Sequence, residues 1–308
     1  MPLPCSGRQS LATDESLSDA YDPSQVKLLL GEAAWLLRHL GFTAQHTILI
    51  GGLVPSLLVL DPPAEPHLGT ADLDLCLSLA IVTGDTAEYE RLETALTSAG
   101  YEPTDLSFRW RKRDGLHLEV EFFCAASDDR PAGKMFRPKA TINPTAKHNF
   151  GPKLTAIALD AGGVIEADGH EIEVDVDLAH AAGRTRFTFR VTGLLGFLGA
   201  KTAALTGRDK PKDAYDIVWI LENWPGGPAA AATAIRDSSA FNRSDASRMI
   251  NRLFEEFSCL GGLGPSSFIR FLVPGTATQD DRARLARQAV GAVNELRTAL
   301  VRGGGTGD

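Results

Sequence analysis

Apolar positions recur at helical spacing from residue 23 to 39, where Val26, Leu29, Leu30, Ala33, Leu36 and Leu37 form one stripe. Asp22 supplies a cap and Gly41 a stop. The period then shortens. Residues 47–50 form an apolar run that reads as a buried strand, ended by Gly51-Gly52 and a helix over about 53–60. A proline-rich loop over 61–67 leads into strict alternation, Asp72-Leu73-Asp74-Leu75, the mark of a strand over 71–79. Residues 86–99 return to helical spacing through Tyr89, Leu92 and Leu96. Two alternating arms, 106–113 and 116–124, read as a hairpin about an Asp114-Gly115 turn. Residues 125–152 are loop-like, and short strands are expected at 156–159, 163–165, 172–176 and 185–191. A helix over 194–208, capped by Thr192, is followed by the charged break 209–212 and a second helix starting near Asp213. Beyond Pro225 the chain is Ala/Gly-rich and then helical, most clearly over 242–260 and 280–301. The pattern predicts an α+β fold with a mixed sheet flanked by helices and a mostly helical C-terminal part. It divides the chain into a disordered segment 1–22, a core 23–155, a C-terminal domain 156–302 and a tail 303–308.

Composition narrows the class. The chain has 308 residues, 44% hydrophobic and 23% charged, an ordinary globular balance. No apolar run reaches the roughly 18 residues of a membrane span. The N-terminal stretch lacks the apolar core of a signal peptide, so a cytoplasmic protein is expected. Cys5, Cys76, Cys124 and Cys259 are scattered without metal-ligand spacing, which argues against zinc and against a disulfide scaffold. A formal charge of −8 argues against a general nucleic-acid coating protein but leaves room for a local basic patch.

The chemistry concentrates in a few stretches. On a strand, Asp72 and Asp74 project to one face, and two carboxylates so placed can ligate divalent metal. The same alternation is common on solvated strands, as in Glu171, Glu173, Asp175 and Asp177, which have no Gly pair before them. Gly51 and Gly52 set Asp72 and Asp74 apart, because a Gly pair lets phosphate approach backbone N–H groups. In the second hairpin arm His117, Glu119 and Glu121 share a face, and either glutamate could supply a third carboxylate. Glu121 is preferred because the apolar Phe122-Phe123 follows it. The first arm carries Arg109, Arg111, Lys112 and Arg113, a solvated tip from Arg111 onward, with Arg109 able to meet phosphate. Lys201 and Arg208 are seven residues apart on one helix face, and Asp213 and Asp216 share a face of the next helix.

Together these stretches resemble the nucleotidyltransferase superfamily, and within it the AbiEii-type nucleotidyltransferases, toxins of type IV toxin–antitoxin pairs. The resemblance rests on Ile50-Gly51-Gly52 followed by Asp72-Leu73-Asp74-Leu75, on Thr70 ahead of the first aspartate, and on Lys201 followed by Arg208, Lys212, Asp213 and Asp216. It covers about residues 45–222 and implies a nucleotidyltransferase-like sheet. Two features depart from the family: the long interval from Gly52 to Asp72, and His67-Leu68 where an arginine commonly stands. The resemblance implies Mg²⁺-dependent transfer of a nucleotidyl group from a nucleoside triphosphate to an acceptor hydroxyl, with Mn²⁺ as a substitute metal. In such proteins the acceptor is often RNA, including tRNA 3′ ends, and an antitoxin protein restrains the activity; no membrane is involved. Asp72, Asp74 and Glu121 would hold metal, with Glu119 as the alternative third carboxylate. Gly51, Gly52, Thr70, Arg109, Arg208 and Lys212 would contact nucleotide or phosphate. Lys201 would neutralise phosphate, and Asp213, with Asp216 beside it, would orient Lys201 or the acceptor. A small-molecule nucleotidyltransferase and a non-catalytic nucleotide-binding module are the competing expectations.

Overall fold

The computed structural model describes residues 16–39, 47–63, 65–70, 72–77, 87–113, 118–136, 154–180 and 182–303. Gly41, the Asp114-Gly115 turn, His117, most of the expected N-terminal segment and the tail beyond residue 303 lie outside them, as do parts of the 125–152 loop.

Helix α1 (Gln25–His39) buries Leu29, Ala33, Leu36 and Leu37, as its stripe requires. Asp22 accepts hydrogen bonds from the Ser24 amide (2.8 Å) and hydroxyl (2.6 Å) just ahead of it. Strand β1 (Thr47–Ile50) is buried throughout. A single 3-10 turn, Gly51–Leu53, joins it to the short α2 (Val54–Leu58), less helix than the sequence suggests. Then come β2 (Asp72–Leu77), α3 (Ala87–Ser98), β3 (Tyr101–Pro103), β4 (Arg109–Lys112), β5 (Glu119–Ala125), β6 (Met135–Phe136) and β7 (Ala156–Leu159). Helix α4 (Gly162–Asp168), β8 (His170–Asp177) and β9 (Arg184–Val191) follow. The rest is helical: α5 (Leu194–Gly207), α6 (Lys212–Asn223), α7 (Gly227–Asp237), α8 (Ser244–Glu256), α9 (Leu263–Leu272) and α10 (Gln279–Gly303). The fold is α+β.

The nine strands form one mixed sheet in the order β3-β4-β5-β2-β1-β9-β8, with β7 beside the C-terminal half of β5 and β6 beside β7. β1 is antiparallel to β2 and parallel to β9, and β2 is parallel to β5. The expected boundary at residue 155 therefore cuts through the sheet, since β7, β8 and β9 all come from beyond it. A strand pattern is indifferent to where its hydrogen-bond partners come from in the chain.

Three further expectations are corrected. Residues 163–165 lie in α4 rather than a strand, because a three-residue apolar run carries no period to separate the two. Helix α5 is not capped by the Thr192 side chain: the N-cap is Gly193, Thr192 is wholly buried, and the Asp168 carboxylate accepts the Gly196 amide (2.8 Å). In the 109–113 arm, Arg111 and Arg113 are exposed and pair with Glu119 (2.6 Å) and Glu102 (2.9 Å), but Lys112 reaches inward to Glu32 on α1.

Candidate active site

Register brings the carboxylates together. In the parallel pair of β2 and β5, Asp72 stands opposite Glu119 and Asp74 opposite Glu121. Side chains at matched positions of neighbouring parallel strands share a face, with strands about 4.8 Å apart. Leu73 and Leu75 fill the other face and are buried. Four carboxyl groups thus crowd one patch, and Asp74 bears the result: burial first, then the charges of Glu121 and Asp72, push its pKa up to about 7, against the pull of Lys201 and Lys210.

The Gly pair makes room for this group. Gly51 has φ +75°, and a Cβ there would lie 1.7 Å from Asp74 Oδ2. A Cβ on Gly52 would lie 2.6 Å from Thr70 Cβ. Thr70 is itself buried and its Oγ1 accepts the Asp72 amide (3.2 Å), so it sets the start of β2 and does not present itself to a phosphate. Its expected contact with nucleotide is corrected accordingly.

Opposite the sheet, α5 and α6 bring a second group. Lys201 Nζ lies 2.9 Å from Asp213 Oδ1 and 2.6 Å from Asp216 Oδ2, with both aspartates at zero exposure. Burial works against the ammonium, but the two carboxylates outweigh it and hold the Lys201 pKa above the ordinary lysine value. Burial likewise opposes charge on Asp213 and Asp216, yet their cationic neighbours lower both pKa values. Arg208 Nε reaches Asp213 Oδ2 at 3.1 Å from a half-exposed position.

Asp216 has two further partners, Lys212 Nζ (2.5 Å) and His67 Nε2 (2.9 Å). His67 Nδ1 accepts the Gly69 amide (3.0 Å), which fixes the proton on Nε2 and makes the ring the donor to Asp216. Burial, then Lys212, lowers the His67 pKa to about 4, so the ring is neutral. Lys212 is 2% exposed, with its ammonium over the rings of Tyr21 and Tyr215, and burial lowers its pKa to about 8. The expectation that Lys212 meets phosphate is corrected: its charge is spent inside the protein.

Two residues gain importance that the sequence did not assign them. Lys210 Nζ lies 3.3 Å from Asp72 Oδ2, a cation beside the carboxylates despite 138 residues of separation. His67 braces Asp216 from the loop ahead of β2. Nothing in the spacing of either marks it; the sheet-to-helix docking alone makes the pairing. Arg109 pairs with Glu121 and with Glu119 (3.3 Å), so it neutralises the third carboxylate rather than standing free for phosphate.

Gly51, Asp74, Lys201 and Arg208 line one cleft of about 470 Å³. Among the described residues no three His, Cys, Asp or Glu side chains are oriented to enclose a metal ion. The chemistry of the donor set nevertheless fits one. Asp72, Asp74 and Glu121 are hard oxygen donors on one face of β2 and β5, the donor type that binds Mg²⁺.

No protein-family model matches the chain, and no curated protein matches it in sequence. Among solved structures it is similar to JHP933 from Helicobacter pylori, with a TM-score of 0.39 and 12% identity over 92% of this chain and 94% of that one. A likeness at that level says nothing about chemistry.

Proposed function

We propose that the protein is a nucleotidyltransferase that moves a nucleoside monophosphate from a triphosphate to an acceptor hydroxyl. The observation that carries this reading is that Asp74, in register with Glu121 and two residues from Asp72 on the same strand face, lines one cleft with Lys201 and Arg208. A patch of carboxylates opposite a patch of cations suits a metal–triphosphate complex.

Asp72 and Asp74 would hold Mg²⁺, with Glu121 as the third ligand once released from Arg109. The bound cation would polarise the reacting phosphate and stabilise departing pyrophosphate. Lys201 meets the cleft through a short exposed portion, its ammonium kept charged by Asp213 and Asp216, and offsets phosphate charge. Arg208, half exposed, would turn from Asp213 to the triphosphate. Lys210 beside Asp72 is the cation that stands in for the arginine missing near Leu68.

RNA, such as a tRNA 3′ end, is the proposed acceptor, and a small antitoxin protein the proposed restraining partner; both come from the sequence resemblance. Among the described residues no helix is long and apolar enough to cross a membrane. The test is transfer of label from each of the four α-labelled nucleoside triphosphates to total tRNA with Mg²⁺. Transfer that vanishes in Asp72→Ala and Asp74→Ala supports the reading, and transfer unchanged in both sinks it. Growth arrest on induction in a bacterial host, absent in the same variants, tests the toxin role.

A further inference from the structure

The cleft extends beyond the charged groups. Away from Asp74, Lys201 and Arg208, one wall is strand, with Phe123 from β5 and Ile157 and Leu159 from β7. The other is α5, where Ala200, Ala203 and Ala204 recur at helical spacing and project nothing larger than a methyl group. The space between is apolar and ends in a single polar side chain. Asp160 follows Leu159, which is in register with Ala125, four residues past Glu121. At the rise of a strand this puts Leu159 about 13 Å along the sheet from the level of Asp74, with Asp160 one residue beyond it. Apart from Asp74, Lys201 and Arg208, Asp160 carries the one charged or hydrogen-bonding side chain in the described lining. Arg248 Nη2 holds its carboxylate at 3.2 and 3.4 Å, and one guanidinium nitrogen leaves most of its acceptor positions open.

We infer that this extension holds the base of the transferred nucleotide and that Asp160 selects bases with an exocyclic amino group, as in adenine and cytosine. The inference rests on the nucleotidyl-transfer reading. A planar ring fits between the methyl-lined helix and the strand wall, and its phosphates would lie toward Lys201 and Arg208. At the far edge an amino group donates to the carboxylate, a charge-assisted bond, whereas a keto oxygen at the same place faces it acceptor to acceptor. Arg248 orients the carboxylate.

The pairs CTP/UTP and ATP/ITP differ in this exocyclic group and in the proton on the ring nitrogen beside it, so calorimetric titration of the full chain with each, in Mg²⁺, compares amino with keto at this edge; tripolyphosphate reports on the phosphate end. The amino-bearing member of each pair should bind about tenfold more tightly. Asp160→Asn, whose amide can donate or accept, should bring each ratio to within about twofold. Ala204→Leu, which fills the slot, should weaken all four nucleotides and leave tripolyphosphate binding in place. Equal affinities within both pairs, or ratios unchanged in Asp160→Asn, overturn the base assignment, and tripolyphosphate binding then shows that the phosphate end stands. If neither nucleotides nor tripolyphosphate bind, the nucleotidyl-transfer reading itself fails.

Discussion

Asp74 and His67 carry opposite electrostatic loads. Asp74 is raised above its unfolded pKa, so its carboxylate form costs stability, and that cost is absent below about pH 4 and complete above about pH 7. Asp74→Asn removes the charge and keeps the shape. In EDTA at pH 8 it should stabilise the fold by about 1–2 kcal/mol, after allowance for partial solvent screening, and with Mg²⁺ present it should abolish transfer. A melting temperature equal to or below that of the wild type at pH 8 would contradict the crowding. His67 is depressed, so the stability its neutral ring contributes is present above pH 6.5 and disappears as the pH falls through about 4. The difference is about 3 kcal/mol over that window. Thermal melts of the wild type and His67→Gln between pH 4 and 7 should diverge, the wild type losing more on the acid side. Both effects follow from enclosure and neighbours, and neither is visible in residue type alone.

Helices α5 and α6 are joined by buried charge rather than by apolar contact alone. Removing one partner leaves the others uncompensated: Asp213→Ala strands the Lys201 ammonium against a single carboxylate already shared with Lys212, at a cost of about 3–5 kcal/mol by chemical denaturation. Replacing the pair together, Lys201→Met with Asp213→Leu, should recover most of that stability and none of the activity. A double variant as unstable as the single one would show that the charges hold the helices by more than their pairing. The turn after β1 is equally constrained. Gly51→Ala forces Asp74 away from a position 1.7 Å from the new methyl and strains a φ of +75°, so it should lower stability and transfer together.

The whole molecule is organised by a sheet that ignores the order of its strands in the chain. β1 has β2 on one side and β9 on the other, β5 takes β7 along its C-terminal half, and α1 rests on β8. A fragment ending at residue 155 would lose all three supports and expose the edges of β1 and β5. It should fail to give a dispersed NMR spectrum or a cooperative melt, while the full chain unfolds in one transition. A folded, monomeric 23–155 fragment would restore the domain boundary that composition suggests. The local pattern along the chain was sufficient for α1, β1, β2, β5, β9 and the long C-terminal helices, because each alternates or repeats over enough residues to declare its period. It also placed Asp72 with Asp74, and Asp213 with Asp216, on shared faces, since i, i+2 and i, i+3 spacings do so whatever surrounds them. It could not distinguish Lys212, enclosed and paired with Asp216, from Lys210 two residues earlier, which reaches Asp72. Nor could it show that Thr70 sits behind Gly52, that His67 braces Asp216, or that Asp168 caps α5. Those assignments depend on which surfaces meet, and contact between residues of different elements is a property of packing that no local period encodes.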